Sequence, residues 1–368
     1  MKRKQHALFL FICLLIVSCK DAPQTEVQPT INQLSPTDLA YQAFLQSVAK
    51  QHIAVRYNEL LQRASAFERS ILEQCSQSST HGWLDVQQHW KQLNASWQAL
   101  QWLRSTALED KNIPSRFQYW PDANGAVLRG TQRLLHSEDS LTLSTLSKMN
   151  VGAQGLPAAE YLLFSDDVSD VGSFAKRCEI LTVISENLTS MSKYRLSLWQ
   201  QNTKQYQGFI SGTGAYADVK DAFEEIYSEW LTQLTLIKDN KLLFPMGIGI
   251  PGIPQLTESP YANVSGENIR ANLIALKSAL TSGQGIFSIE QAKVGNQHIS
   301  DRILIVLNEA ISITADLSSP YNQVLATEQG RTQIMALIDT LSTLQTLMAE
   351  ELVISLELNL GFNSLDGD

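Results

Sequence analysis

Apolar residues recur every three or four positions along almost every long segment of the chain, which is the period of an α-helix. The first long segment begins at the start signal Pro36-Thr37-Asp38 and is predicted to run to about Cys75. Its apolar face consists of Leu60, Ala64, Phe67, Ile71 and Cys75. In the next segment, one helical face carries Trp83, Trp90 and Trp97. Such a stripe is typical of a packed core.

The same pattern continues through the rest of the first half, to Leu198, and is repeated in the second half from Val219 onward. Apolar stripes after the first two are Cys178, Leu181, Ile184, Leu188, Met191 and Leu198; Val219, Phe223, Ile226, Trp230 and Ile237; Ile269, Leu273, Leu276 and Leu280; Ile303, Leu307, Ile311 and Ile313; and Ile334, Ile338, Leu341, Met348 and Leu352. The pattern stops near the glycines of 205–214, and strand-like alternation is nearly absent. We predict an all-α fold of two antiparallel helical bundles in tandem, over residues 36–205 and 206–368.

A Gly/Pro-rich loop at 245–260 interrupts the helices of the second half. It contains Gly247-Ile248-Gly249-Ile250-Pro251-Gly252, the Gly-x-Gly-x-x-Gly string of dinucleotide-binding proteins. That motif requires a preceding strand and a helix that opens at its end. Here a helical segment precedes the string, and Pro251 and Pro254 oppose an immediate helix. We therefore reject nucleotide binding and predict an apolar loop packed across the end of the bundle.

The net charge of the chain indicates which classes of binding partner are disfavoured on electrostatic grounds. The sequence has 368 residues and a formal net charge of −9. Because residues 1–19 carry Lys2, Arg3 and Lys4 and no acidic residue, their removal leaves a net charge of −12. An acidic chain with no basic cluster is a poor candidate for binding nucleic acid or an anionic membrane surface. Metal cations and cationic partners fit better.

The first 19 residues have the pattern of a targeting signal. A basic start precedes an apolar run at 7–17, too short to span a membrane, which leads into Ser18-Cys19. This arrangement resembles a bacterial lipoprotein signal, in which the Cys19 thiol is lipidated; an ordinary secretory signal is the alternative. Lys20 follows where an Asp would indicate retention in the inner membrane, so we expect the periplasmic face of the outer membrane. The polar residues 20–35 are predicted to form a flexible tether.

Two cysteines remain within the predicted bundles. In the oxidising periplasm, Cys75 and Cys178 either form a disulfide or stay as two buried thiols. A disulfide would close a loop of 103 residues and contribute about 4–5 kcal/mol in the chain-entropy model. We favour the disulfide.

No standard catalytic motif occurs in the sequence, which lacks His-Glu-x-x-His, Gly-x-Ser-x-Gly, a phosphate-binding loop and Cys-x-x-Cys. His298 and Asp301 have the spacing of two ligands at a helix start, but two ligands make a weak metal site. A surface pair is therefore the favoured interpretation there. His52 lies on an apolar face between Val48 and Val55, which favours a core histidine with satisfied hydrogen bonds.

One acidic residue stands near the start of the strongly apolar segment Gly155-Leu156-Pro157-Ala158-Ala159-Glu160-Tyr161-Leu162-Leu163-Phe164. Pro157 suits the first turn of a helix, where its missing N–H loses no hydrogen bond. Glu160 is then predicted to lie in that same first turn, where the macrodipole stabilises a carboxylate. Two interpretations stay open for Glu160: a helix-start carboxylate paired with Arg116, and a group that contacts a ligand.

Five blocks in order resemble the imelysin family of bacterial envelope proteins, of the insulin-cleaving peptidase and iron-regulated type. They are Arg116-Phe117-Gln118-Tyr119-Trp120-Pro121-Asp122, the Gly155 to Phe164 segment, Arg177-Cys178 to Asn187-Leu188, Asn268-Ile269-Arg270-Ala271-Asn272-Leu273, and Gly361-Phe362-Asn363-Ser364-Leu365-Asp366-Gly367-Asp368. The family signature is Gly-x-His-x-x-Glu. Here Pro157 stands at the His position, as in the Gly-Leu-Pro branch of the family. The resemblance implies two helical bundles with a site near their junction.

The resemblance also implies which side chains form that site. Glu160 would line it as a ligand-binding group and as the metal ligand, and the other candidates are Arg116, Trp120, Asp122, Arg270 and Asp366. Without the motif His, a His/Glu metal pair cannot form, and a single carboxylate is a poor catalytic zinc site. Carboxylate oxygens suit hard cations, so iron or another divalent cation is the expected cofactor if one is bound.

The favoured function is therefore a lipid-anchored envelope protein that binds a ligand, metal or partner in iron uptake, without catalysis. The association with iron and with an outer-membrane uptake system follows from the resemblance alone. One alternative is a metallopeptidase of the imelysin type that uses Glu160 and other carboxylates. A second alternative is a structural partner of an outer-membrane receptor.

Overall fold

Helices form every regular element in the part of the chain that the structure, a computed structural model, describes: residues 34–77, 83–103, 112–122, 124–168, 173–317 and 320–360. The α-helices are α1 Pro36–Ser47, α2 Ala54–Ser76, α3 Trp83–Gln98, α4 Ile113–Phe117, α5 Ala126–His136, α6 Leu143–Leu146, α7 Gly155–Phe164, α8 Phe174–Leu198, α9 Lys204–Ser211, α10 Val219–Thr235, α11 Phe244–Met246, α12 Ser265–Leu280, α13 Phe287–Val294, α14 His298–Ile313, α15 Tyr321–Leu325, α16 Glu328–Thr346 and α17 Val353–Leu356. The predicted all-α class is confirmed.

Shorter helical stretches of other types connect some of these helices. The π-helical stretches are Val48–Ile53, Leu236–Leu243 and Leu347–Leu352, and the 3₁₀ turns are Val151–Ala153, Pro254–Leu256 and Thr314–Leu317. Each π-helical stretch continues directly from one α-helix into the next. Because a π-helical turn holds more residues than an α-helical turn, it rotates the side chains that follow it. Periodicity in the sequence does not reveal such a rotation.

The first helix begins at the predicted start signal. The Oγ atom of Ser35 accepts the N–H of Asp38 at 3.1 Å, and the Asp38 carboxylate accepts the N–H of Ser35 at 3.3 Å. This reciprocal pair is a capping box, and Pro36 follows at the first helical position. The predicted long helix reaches Ser76 as expected, but it contains the π-helical stretch Val48–Ile53.

The tryptophan stripe of α3 lies in the core as predicted. Trp90 is fully buried, and Trp83 and Trp97 are nearly so. The Trp90 indole N–H donates to the backbone carbonyl of Leu156 at 3.1 Å, which fixes the start of α7 against α3. Helix α2 packs against both α3 and α8.

Helices from the two halves of the chain pack against each other. Helix α1 contacts α10 and α13, and α12 contacts α3; the chain from Ser35 onward forms one compact unit. The proposed boundary between residues 205 and 206 stays a prediction. Where the apolar pattern stops, the structure has the short helix α9, which ends at Gly212 with a φ of 61°.

The Gly/Pro-rich loop is less packed than expected. Ile248 is fully exposed and Ile250 is about half exposed, so the prediction of a packed loop is wrong for these side chains. The backbone of the loop is held instead by Arg331, whose guanidinium donates to the carbonyl oxygens of Met246 at 2.6 Å and Gly247 at 3.1 Å. These bonds hold the backbone of the loop in place without burying the side chains of Ile248 and Ile250.

A disulfide links the first long helix to the helix that follows the signature. Cys75 on α2 and Cys178 on α8 are bonded, with their Cα atoms 5.7 Å apart. Of the two alternatives for these cysteines, the structure has the disulfide. Cys19 and Asp366 lie outside the described residues. No helix of the described ranges is both long and apolar enough to cross a membrane.

Candidate functional site

The signature segment forms α7, and a close backbone approach fixes its first residue. Gly155 has a φ of 78°, a conformation that residues with a side chain rarely adopt. A Cβ atom at this position would lie 2.5 Å from the carbonyl oxygens of Arg116 and Phe117 at the end of α4. The glycine therefore allows α4 and α7 to touch. Pro157 lies in the first turn of α7 as predicted, where its missing N–H breaks no helical hydrogen bond. The same prediction is wrong for Glu160, because the helix begins at Gly155 and Glu160 lies in its second turn.

Glu160 bonds to the backbone of the second half of the chain. Its side chain is only 3 % exposed. One carboxylate oxygen, Oε1, accepts the N–H of Tyr261 at 2.9 Å and the N–H of Ala262 at 2.8 Å. Burial raises the pKa of Glu160 from 4.5 to about 8, and the nearby charge of Glu258 adds to this rise, although the two backbone bonds oppose it. The carboxyl therefore carries a proton in much of the population at neutral pH.

A cavity of about 310 Å³ opens beside Glu160, and we call it the signature cavity. Its wall combines the turn at 118–122, the start of α7 and the loop at 255–261. Among the residues that the structure describes, five aromatic and three acidic residues line it, together with apolar and polar residues. The aromatic residues are Trp90, Tyr119, Trp120, Phe244 and Tyr261, and the carboxylates are Asp122, Glu160 and Glu258. The volume is at the small end of the range of roughly 300–1,000 Å³ for ligand sites.

A buried ion pair stands behind one side of this wall. Lys241 and Glu258 are each 1 % exposed, and their Nζ and Oε2 atoms are 2.7 Å apart. Lys241 Nζ also lies 2.7 Å from the side-chain oxygens of Gln101 and Asn272, and 3.0 Å from Oε1 of Gln98. A buried charge pair is stable only when such additional bonds satisfy it. These bonds hold the Lys241–Glu258 pair in place, and Glu258 is one of the residues that line the cavity.

Two asparagines extend this buried polar network across the two halves. Asn268 on α12 donates to Glu258 Oε2 at 2.9 Å, and Asn94 on α3 donates to Asn268 Oδ1 at 2.7 Å. Asn268 therefore belongs to the buried network behind the cavity wall. A sequence signal for the network existed in Asn268 and Asn272, which are four residues apart and share one helical face. Lys241 and Glu258 had no comparable signal.

The other candidates from the sequence separate into two groups. Trp120 and Asp122 line the cavity with Glu160. Asp122 also caps α5, because its two carboxylate oxygens each accept a backbone N–H at 2.8 Å. Trp120 lies with its ring centroid 5.8 Å from Lys241 Nζ. These contacts give both residues a structural role beside their place in the wall.

Arg116 and Arg270 bond elsewhere. Arg116 donates to Oε1 of Gln154 at 3.3 Å and to Oδ1 of Asn187 at 3.1 Å. Its side chain is therefore bonded to these two amides, and the proposed pairing of Arg116 with Glu160 is wrong. Arg270 donates to the carbonyl oxygen of Ile311 at 2.9 Å, at the end of α14. The structure therefore does not bring the two arginines into the cavity wall.

The potential metal ligands are dispersed. Within the described ranges, no three side chains of His, Cys, Asp or Glu form a group that could hold a metal ion. His52 is buried, and its Nδ1 lies 3.1 Å from Ser278 Oγ, but none of the described residues bonds its Nε2. The prediction that His52 lies in the core is confirmed, but only one of its two ring nitrogens has a hydrogen-bond partner among the described residues. Burial, and secondarily the charge of Arg56, lowers the pKa of His52 to about 3.

Comparisons with known proteins agree with this architecture. The sequence model of the imelysin family, described as Peptidase_M75, matches residues 53–348. The fold is similar to that of an imelysin-like protein from Psychrobacter arcticum 273-4, with a TM-score of 0.74 and 17 % identity over 90 % of this chain and 99 % of that chain. It is also similar to a protein described as an iron-regulated protein A precursor, from Parabacteroides distasonis ATCC 8503. That likeness has a TM-score of 0.68 and 14 % identity over 86 % of this chain and 96 % of that chain.

Curated protein sequences yield no match to this chain. The two structural likenesses show the shared fold, because their sequence identities are low. The family match is more specific, since it spans most of the chain and includes α3, α7 and α12, which build the cavity and the network behind it. This chain belongs to the imelysin family.

Proposed function

We propose that this chain is a lipid-anchored envelope protein that binds a small ligand in the signature cavity as part of iron uptake, without catalysing a reaction. The observation that carries the proposal is the cavity itself, which joins aromatic walls to a buried carboxylate with an available oxygen. Concave, mostly apolar sites with a few convergent polar groups are typical of ligand binding. The likeness to the iron-regulated protein A precursor supports the iron-related role.

The geometry around Glu160 favours binding over peptide hydrolysis. Pro157 offers no ligand atom where the family signature has a His, and Oε1 of Glu160 already accepts two backbone N–H groups. A catalytic zinc site needs about three protein ligands and an activated water. A carboxyl that burial keeps largely protonated is also a weak metal ligand at neutral pH. Glu160 is therefore better suited to recognise a ligand than to activate a water.

Blocking the cavity tests the ligand-binding role in cells. Leu128 lines the cavity and is 37 % exposed, so Leu128→Trp fills the opening with little disturbance of the core. The matched control is Leu84→Trp, on the exposed face of α3, where Leu84 is 79 % exposed. In a deletion strain under iron limitation, we expect growth to be restored by the wild type and by Leu84→Trp but not by Leu128→Trp. Equal rescue by both variants would contradict the role of the cavity.

A peptidase assay tests the competing function. Purified protein is incubated with an unfolded protein substrate, with and without a metal chelator, and fragments are followed by mass spectrometry. We expect no fragments above those of a protein-free control. Chelator-sensitive cleavage by the wild type that disappears in Glu160→Ala would establish the metallopeptidase instead.

The lipid anchor is tested separately at Cys19. In cells that express the full chain, we expect the wild type to incorporate a labelled fatty acid and to sediment with the outer membrane. Cys19→Ser is expected to lose the label and to appear in the soluble periplasmic fraction. If Cys19→Ser remains membrane-bound, lipidation at this residue is not the anchor.

A further inference from the structure

The charges around the signature cavity have one sign. Asp122, Glu160 and Glu258 contribute carboxylates to its wall, and among the described lining residues there is no Lys, Arg or His. The nearby cation, Lys241, stands behind Glu258 and is bound to it at 2.7 Å, so its charge is already compensated. Because Lys241 and Glu258 compensate each other, the charges that a ligand meets at this wall are those of Asp122 and, once it is ionised, Glu160, which attract a cation and repel an anion.

The aromatic residues of the wall add a second preference for positive charge. The faces of Trp, Tyr and Phe rings attract ammonium and guanidinium groups, Trp most strongly. Trp120 and Tyr261 lie on two different segments of the lining, the turn at 118–122 and the loop at 255–261. The same rings, with Leu156 and Pro157, give the wall an apolar surface. A strongly hydrated metal ion gains nothing from such a surface, but an organic cation with an apolar body does.

Glu160 offers an acceptor that the fold leaves unused. Oε1 takes both backbone N–H groups, and none of the described residues donates to Oε2. The side chain is nevertheless 97 % removed from solvent, since its exposed fraction is 3 %. A buried carboxylate with an open oxygen is unfavourable unless a cation or a donor reaches it. The cavity is the route by which a ligand can do so.

We propose that the signature cavity recognises an organic cation, an ammonium or guanidinium group on an apolar or aromatic body, whose charge pairs with Oε2 of Glu160. This inference rests on the proposed ligand-binding function and names the chemical class of the ligand. The aromatic rings hold the apolar body and the adjacent positive charge. Asp122 supplies further negative potential at the wall.

Binding of a cation is coupled to a proton. The charged group that acts on Glu160 directly is Glu258, to which Lys241 is bound. Tyr261 also lies close to Glu160, and Tyr161, Asp167 and Asp122 act on Tyr261 in turn. Because burial raises the pKa of Glu160 to about 8, the empty protein holds a proton on this carboxyl at pH 7. A cation at Oε2 favours the ionised form, so that proton passes to the buffer when the ligand binds.

Three probes of similar shape and different charge test the inference. They are 2-phenylethylammonium, 2-phenylethanol and 3-phenylpropanoate, titrated into the purified protein by isothermal calorimetry at pH 7 in buffers of different ionisation enthalpy. We expect the ammonium probe to bind most tightly and to release close to one proton. In Glu160→Gln its affinity should fall about tenfold or more, since a bond to a charged group is lost, while the affinity of the alcohol stays within about twofold.

The control and a second variant make the result independent of misfolding. Glu290 is also a buried carboxylate that accepts two backbone N–H groups, those of Ile299 and Ser300, and it lies outside the cavity lining. Glu290→Gln should leave all three affinities unchanged. Trp120→Leu removes one ring and should weaken the ammonium probe more than the alcohol.

Three other results of the titrations would contradict the organic-cation inference. If the alcohol or the carboxylate binds the wild type as tightly as the ammonium probe, the inference fails while the ligand-binding function stands. If the ammonium probe binds equally well to the wild type and to Glu160→Gln, Glu160 is not its partner and the inference also fails. If none of the three probes binds, both the inference and the ligand-binding function are contradicted.

Discussion

Replacement of Glu160 by Gln is expected to stabilise the protein in mildly alkaline solution and to leave its stability nearly unchanged in acid. Gln keeps a carbonyl oxygen that can accept the N–H groups of Tyr261 and Ala262, which Oε1 accepts at 2.9 and 2.8 Å in the wild type. It differs from Glu in that it cannot ionise. The variant therefore isolates the effect of placing a negative charge in the buried position.

The magnitude follows from the raised pKa of Glu160. Below pH 4.5 the carboxyl is protonated in both the folded and the unfolded chain. Between pH 4.5 and about 8 the folded protein keeps a proton that the unfolded chain has released, so the wild type loses stability as the pH rises. Above this window the folded carboxyl is also charged, and the decline ends. At about 1.4 kcal/mol per pKa unit, the full loss is roughly 5 kcal/mol.

Urea unfolding, followed by far-UV circular dichroism, measures this loss. The free energies of unfolding of the wild type and Glu160→Gln are compared from about pH 4 to about pH 9. We expect a difference within about 1 kcal/mol in acid, which grows to about 3–5 kcal/mol in favour of the variant at the alkaline end. The exposed Glu309 provides the control Glu309→Gln for the simple loss of one negative charge. A difference for Glu160→Gln that does not depend on pH would refute the argument that burial holds the proton.

Three further changes probe the framework of the site. Lys241→Met leaves Glu258 buried without its cation and should lower the free energy of unfolding by about 3–5 kcal/mol; the double variant with Glu258→Gln should recover part of this loss, and additive effects in urea titrations would contradict their pairing. Gly155→Ala forces a Cβ atom against the carbonyl oxygens of α4 and should lower the yield of folded protein, so wild-type yield and melting temperature would disprove the close approach. Reduction of the Cys75–Cys178 disulfide should destabilise the protein by about 2–5 kcal/mol, and a free-thiol assay that detects both cysteines before reduction would disprove the bond.

The helices were predictable because burial imposes a repeating pattern on each one. The spacing of Trp83, Trp90 and Trp97 sufficed to predict a buried helical face, and Pro157 sufficed to predict a helix start near Glu160. These features depend on residues that are close in sequence. Local chemistry therefore determines them before any long-range contact is known.

The partners of Glu160 were not predictable in the same way. Its bonds reach the backbone of Tyr261 and Ala262, more than 100 residues later in the chain, and a backbone N–H carries no sequence signal. Lys241 was missed because its partners Glu258, Asn272 and Gln101 lie 17, 31 and 140 residues away in the sequence. Arg116 was assigned to Glu160 because of their charges, but the amide oxygens of Gln154 and Asn187 satisfy it instead.

The disulfide between α2 and α8 has a consequence for proteolysis. The covalent loop that it closes contains α3 and the whole of α7. It therefore includes Glu160 and the other cavity-lining residues that lie between Cys75 and Cys178 in the sequence. A single backbone cut anywhere between Cys75 and Cys178 leaves the two pieces of chain joined, and they separate on a gel only after reduction. The chain thus retains the covalent connection across its signature helix after one such cut.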